Sequence, residues 1–199
     1  MLLRDIPVPT TPAATAAVEV VTRFSPPALV HHCRRSYVFA AALGAQRGVA
    51  LDHELLFVAT MLHDLGLEAP FDSHTLPFER AGGDLAWVFT AGAGWPDERR
   101  ARAGEIIVDH MRDDVDPAVD PEGQLLALAT GLDISGRAPE LWPEELLAEA
   151  VATWPRLDLA ARFTACFTDQ AARKPDSAAG ASVRSGIAER MATNPLEAR

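Results

Sequence analysis

Basic charge is the first thing this sequence is short of. Lys and Arg number 18 against 28 Asp and Glu, a formal net charge of −10 with histidine neutral. Binding along nucleic acid or to an anionic membrane draws on clustered cations that release counterions, so a general role of either kind is excluded. A local site can still oppose the global sign, which leaves small anionic substrates open. Cysteine is nearly absent: Cys33 and Cys166 are the only two. They are too few for a zinc ribbon, and one disulfide would be unusual scaffolding for 199 residues, so both read as free thiols in a reducing cytoplasm. No apolar run approaches the ~20 residues that span a bilayer. The opening stretch MLLRDIPVPTTPAATAAVEVV carries an acid and prolines where an export signal has a basic region and then an apolar run. RRSYVFAAALGA, from Arg34, mimics a twin-arginine signal only loosely and lies too deep in the chain. Strand signals are also missing. There is no run of alternating β-branched residues, no internal repeat and no coiled-coil heptad.

What is present is helix after helix. SPPALVHHCRRSYVFAAALGAQRG opens with Ser25 as N-cap and Pro26 at the first helical position, and closes on Gly48. LDHELLFVATMLHDLG has Asp52 as cap, an apolar stripe through Leu55, Ala59 and Leu62, and Gly66 as a stop. Helices are further expected in PFERAGGDLAWVFTAG, PDERRARAGEIIVDHM, PEGQLLALATGLDISG, PEELLAEAVATW and LDLAARFTACFTDQAARK, with a short one from Ser182 to Met191. Composition is ordinary for a globular protein, 48% hydrophobic and 23% charged. The expectation is a single all-α domain over residues 1–199, with seven or eight helices, a core over about 25–175 and terminal segments packed as extensions. The longest unstructured pieces, Glu68 to Pro77 and Met111 to Asp120, each follow a histidine-bearing helix, where active-site loops sit.

Polar residues interrupt the apolar faces of four helices. His32 and Ser36 share a stripe with Leu29, Phe39 and Leu43. His63 and Asp64 end an apolar run. His110 follows Ala103 and Ile106 on one face, and Thr130 and Asp133 follow Leu126 on another. Taken singly each has a bland reading. A lone histidine on an apolar face is a hydrogen-bonded core residue more often than a ligand, Asp64 would cap a turn, and Asp133 would pair with an arginine such as Arg137. Together they converge on one presumed core, and a buried unpaired charge costs several kcal/mol. A divalent cation held by His32, His63, Asp64 and Asp133 offsets that cost. Neighbouring residues on a helix point ~100° apart, so His63 and Asp64 can straddle one ion. Imidazole and carboxylate suit Fe, Zn, Mn, Co or Ni.

The order of these residues, a histidine, then an adjacent His-Asp pair, then a distant aspartate, resembles the HD-domain superfamily of metal-dependent phosphohydrolases. HHCRRSYVFAAALG, ATMLHDLGL, PFERAGGDLAWVF, IIVDHM, LALATGLDISG and FTDQAARKP are more similar to one branch, the cyanamide-hydratase-like HD proteins, over roughly residues 25 to 175. The sequence departs from that branch in having Cys33 where the branch has serine after the first histidine, and from many phosphohydrolases of the wider superfamily in lacking a lysine after the pair. The resemblance implies an HD-type helical bundle with His32, His63, Asp64 and Asp133 as metal ligands. A second metal would use His110. The expected activity is a hydrolase or hydratase acting on a small, neutral or weakly charged, nitrogen-containing molecule through a metal-activated water. Asp64 would accept the water's proton, and His110 or Glu79 would relay protons. Ser36, His74 and Thr130 are further candidates for lining the substrate site. The alternatives are a nucleotide or other phosphomonoester phosphohydrolase, and a non-catalytic, metal-stabilised binding or sensory domain. No nucleic-acid or membrane partner is expected. Trp87 and Trp95 leave a homo-oligomer open, with core the safer reading for scattered aromatics.

Overall fold

The structure is a computed structural model, described for residues 2–199. It is all-helical: no strand occurs among the described residues, and none of their helices is long and apolar enough to cross a membrane. Among the described residues ten α-helices run in order as α1 (Pro12–Phe24), α2 (Pro27–Gln46), α3 (His53–Leu62), α4 (Phe78–Gly92), α5 (Asp97–Asp109), α6 (Pro121–Ser135), α7 (Glu144–Thr153), α8 (Leu159–Arg173), α9 (Ala178–Arg184) and α10 (Ile187–Ala192).

Ten exceeds the seven or eight expected, for two local reasons. The first is α1, which the composition of the opening stretch hides. Thr11 caps it by accepting from the Ala14 amide, Pro12 stands at its first turn, and Ala13, Ala14, Ala17 and Val21 form its buried stripe. The second is the tail, where one helix was expected from Ser182 to Met191. Gly186 adopts φ +78° there, a left-handed conformation that ends α9 and starts α10. Asp52 caps α3 as expected, accepting from the Leu55 amide at 3.0 Å. Ser25, in contrast, closes α1, and α2 begins one residue later with Pro26 as its N-cap and Pro27 inside the first turn.

The buried centre of the bundle is built by α2 and α3. Phe39, Ala40, Ala41 and Ala42 of α2, and Leu56, Val58, Ala59, Met61 and Leu62 of α3, are sealed from solvent, with Leu125, Leu126, Ala129 and Leu132 of α6 beside them. Burying a large aliphatic side chain contributes about 1.5–3 kcal/mol, so this layer is the main source of stability. Trp95 and Trp142 belong to the core, Trp154 is partly buried against it, and Trp87 is half exposed. Cys33 and Cys166 are free thiols.

Glycines set how close α4 comes to the end of α3. A Cβ on Gly66, in the 3-10 turn Leu65–Leu67, would sit 2.1 Å from the Phe78 carbonyl oxygen. One on Gly82 would sit 2.9 Å from the His63 carbonyl oxygen. Only hydrogen at both positions lets the first turns of α4 lie directly on the His63–Asp64 segment.

Candidate metal centre and its cavity

His32 lies in the second turn of α2, His63 caps the C-terminus of α3, Asp64 follows it, and His110 caps the C-terminus of α5. All four are buried, the first three to 2% exposure or less. Helix termini carry the His63–Asp64 pair and His110, so a polar group can point inward there without interrupting the helix ladder.

The proton on each ring is fixed by what its Nδ1 touches. Nδ1 of His63 lies 2.7 Å from the Thr60 carbonyl oxygen, and Nδ1 of His110 meets the Ile107 carbonyl. A carbonyl only accepts, so both Nδ1 atoms must carry the hydrogen. Nδ1 of His32 lies 2.6 Å from Oδ2 of Asp133. Burial would raise the Asp133 pKa, but the Arg35 charge and the His32 contact hold it well below the usual carboxylate range, so it too is an acceptor. All three Nε2 atoms therefore face inward, as lone pairs in the neutral rings.

They face one another and a carboxylate. Nε2 of His32 and Nε2 of His63 are 3.1 Å apart, and Oδ2 of Asp64 is 3.3 Å from the first and 3.0 Å from the second. Asp64 Oδ2 is fully buried and receives no hydrogen bond. Three electron-rich atoms in a triangle this tight repel unless something positive lies between them. Metal–nitrogen bonds of ~2.1 Å give edges of about 3.0 Å on an octahedral face and about 3.4 Å on a tetrahedral one. The observed edges fall in that interval, so the residues fit a divalent transition ion. His32, His63 and Asp64 form the one such group of donor atoms found among the described residues. In the metal-free chain a proton can play the same part. Burial lowers the pKa of His32, but Asp133 and Asp64 outweigh that and raise it overall. Burial also opposes ionisation of Asp64, and His63 and His32 reverse that, keeping it ionised.

Of the four expected donors, the structure brings three together. Asp133 stands behind His32, not beside it. Its carboxylate bonds the far nitrogen of that ring, takes Nε and Nη2 of Arg35 at 2.8 Å each, and takes Nη1 of Arg156 at 3.0 Å. Arg156 also donates to the Asp133 carbonyl at 2.6 Å, and Asn194 donates to the same carbonyl at 2.9 Å. A carboxylate that orients a ligating histidine from behind fixes its tautomer and raises its basicity. Arg137, the partner suggested by sequence, pairs with Asp113 instead.

The three donors line a cavity of ≈ 390 Å³. His110 and Thr130 line it as well, although the Thr130 hydroxyl is committed to the Leu126 carbonyl at 3.0 Å. The Nε2 of His110 is 3.8 Å from Oδ1 of Asp64, and burial, with the nearby His63, lowers its pKa to about 4. His110 is neutral at pH 7 with its lone pair toward the site. Phe78, Phe163 and Phe167 form apolar walls.

Three of the expected residues are elsewhere. Ser36 is behind His32, with its Oγ 3.5 Å from Nδ1 and no access to the cavity. His74 is exposed on the loop after Glu68, which contributes nothing to the lining. Glu79 is buried, with its pKa raised by burial and Oε2 unpartnered, but it is absent from the lining, so its assignment as a proton relay is withdrawn. The other loop does take part, through Met111, Arg112 and Asp113. Sequence reasoning missed Arg35 and Arg156. Arg35 follows a second arginine, and nothing local marks which of Arg34 and Arg35 is the buried one. Sequence reasoning expected one short helix from Ser182 to Met191 but not that this region, as α9 and α10, closes the cavity with Ala178, Ser182, Ile187 and Arg190 among others.

No family model matches the chain, and no curated protein matches it. The functional reading therefore rests on the residues and their geometry.

Proposed function

We propose that this protein is a metal-dependent hydrolase or hydratase of the HD-domain type. One observation carries the reading: three buried imidazoles have Nδ1 committed to acceptors, and two of their Nε2 atoms meet a carboxylate oxygen in a triangle of metal-coordination size. The order His32, His63–Asp64, Asp133 along an all-α chain supports the HD type. A divalent ion on His32, His63 and Asp64 would supply Lewis acidity and bring the pKa of a bound water toward neutrality.

The chain's own groups account for the rest. Asp133 holds the His32 ring from behind. Oδ1 of Asp64 and Nε2 of His110, 3.8 Å apart, are two proton acceptors at the buried end of the cavity. With a depressed pKa, His110 can accept a proton at neutral pH and release it readily. The phenylalanine walls exclude water from around the reacting atom and raise the strength of every charge interaction there.

The cavity that reaches the three donors favours an enzyme over a metal-stabilised structural module, because structural sites are coordinatively closed. The groups beside the triad favour an uncharged reacting group over a phosphomonoester. Phe163 packs on the His32 ring and Phe78 on the His110 ring, while the buried guanidinium of Arg35 is committed to Asp133. A small molecule with a C–N multiple bond or an amide fits that floor.

Elemental analysis of the wild-type protein beside Asp64→Ala tests the reading. About one transition ion per chain, lost in the variant while the helical circular-dichroism signal persists, supports it; panels of nitriles, amides and phosphomonoesters then follow with that ion. A wild-type chain that stays metal-free after reconstitution with Fe, Mn, Zn, Co and Ni overturns it.

A further inference from the structure

The cavity reverses the charge of the chain that encloses it. The protein as a whole carries a net charge of −10, yet the formally charged lining residues are Arg112, Arg137 and Arg190 against Asp64 and Asp113. Depth separates them. Asp64 lies on the floor with the two histidines, essentially sealed, whereas Arg112 and Arg137 are exposed and Arg190 half-buried at the rim.

Each rim arginine has different company. Arg112 is bound to Asp109 and Asp114. Arg137 meets only Asp113, in a pair open to water on both sides. Arg190 pairs with no carboxylate among the described residues. It donates to the Ser185 carbonyl at 2.5 Å and to the Ser185 hydroxyl at 3.1 Å. Those bonds hold the guanidinium in place and leave its charge uncompensated. A guanidinium has five donors in a planar fork, and a carboxylate or phosphate can take two of them side by side. The lining also presents the apolar side chains of Ile134, Phe163, Phe167 and Ile187.

We propose that Arg190, with Arg137 on the same rim, is an anion-binding subsite, and that the ligand is a small amphipathic anion. Its carboxylate or phosphate sits at the rim, its apolar body lies between the phenylalanines, and its uncharged reacting end reaches the triad. The assignment of a reacting end rests on the function proposed above; the anion subsite does not. It departs from the sequence expectation of a neutral or weakly charged substrate. The arginines that make the difference come from the loop after α5, the end of α6 and α10, which the chain brings to one opening.

Calorimetric titration of the metal-loaded protein with phenylacetate and with its neutral analogue phenylacetamide tests this. Phenylacetate should bind at least about tenfold more tightly, as expected for a charge-assisted bidentate contact. Arg190→Ala should remove that preference while leaving phenylacetamide binding unchanged, which shows the cavity intact. Arg190→Lys, with charge but no fork, should fall between. Phenyl phosphate and inorganic phosphate identify which anion the fork prefers and whether the apolar body contributes. Chelator-treated protein separates this proposal from the metal reading. Arg190-dependent phenylacetate binding that survives without metal supports the subsite, even if no ion ever loads. Phenylacetate binding that is unchanged in Arg190→Ala but lost on chelation means that the carboxylate goes to the ion, and the subsite is overturned. Equal affinity for acid and amide, or no binding of either, overturns it too.

Discussion

Asp133 bonds one nitrogen of His32 at 2.6 Å while the opposite nitrogen of the same ring points at His63 and Asp64. The carboxylate thus acts on the metal centre through the ring, and it compensates Arg35 and Arg156 as well. Asp133→Asn should lower metal affinity about 10–100-fold, the usual effect of losing such a partner. It should also cost about 3–5 kcal/mol of stability, since the buried Arg35 guanidinium loses its only carboxylate, while Arg156 keeps Glu197. Chelator competition and urea unfolding measure the two effects. The electronic spectrum of the cobalt-loaded variant distinguishes positioning from ligation: an unchanged spectrum means that the donor set never included Asp133.

Proton and metal compete for the same nitrogen. The neighbours of His32 raise its pKa despite burial, and a ligating imidazole must be deprotonated. Metal affinity should therefore fall by about tenfold per pH unit once the pH drops below that raised value, with one proton released per ion bound. Calorimetry in buffers of different ionisation enthalpy counts the proton. Metal affinity independent of pH through this range would remove His32 from the ligand set.

His110 ties stability to pH through a pKa shifted in the other direction. Its pKa is about 4 in the folded chain against an ordinary 6.5, so the unfolded chain binds more protons between those values. Its contribution is complete above pH 6.5 and drains away as the pH falls toward 4, by about 3 kcal/mol in all. His110→Gln lacks this loss. The difference in unfolding free energy between metal-free wild type and His110→Gln should shift by that amount across the window, while contributions from His32 and the carboxylates cancel.

Gly66→Ala should be poorly tolerated, because its Cβ would be driven 2.1 Å from the Phe78 carbonyl oxygen, where backbone cannot yield cheaply. Overpacking of this kind costs about 1–3 kcal/mol, and here it would pry α4 from the His63–Asp64 segment and weaken metal binding too. Gly92→Ala, at the open end of the same helix with nothing within 4 Å of the added carbon, should be neutral or slightly stabilising. Thermal melts of the two variants, with and without metal, make the comparison.

The sequence showed α2, α3 and α5 to α8 clearly because each has a period of three to four and a proline or acid at its start, and α4 more faintly because of its glycines. It showed His32, His63 and Asp64 because polar side chains stand out on apolar faces. Asp133 was visible for the same reason, but periodicity reports only that a residue faces inward. Which nitrogen of His32 it would meet depends on the distance between α2 and α6, a tertiary quantity. Arg35 was invisible because its burial depends wholly on Asp133 and the Trp154 carbonyl, both distant in the chain. Glu79 misled for the converse reason: it is buried as an inward-facing acid should be, but over a different part of the interior. The wall made by α9 and α10 was obscured by small residues whose helices hold only when packed on α8.

The cavity draws its floor from His32, His63 and Asp64 and its outer wall from α9 and α10, while Asn194 reaches back to the carbonyl of Asp133. A ribosome delivers those parts far apart in time. The donor atoms are all present once Asp64 has been made, but the enclosure needs every residue as far as Arg190. The His32 ring is held by Asp133, and Asp133 in turn by Asn194, so the oriented centre and its chamber are both completed only by the last helices to be made.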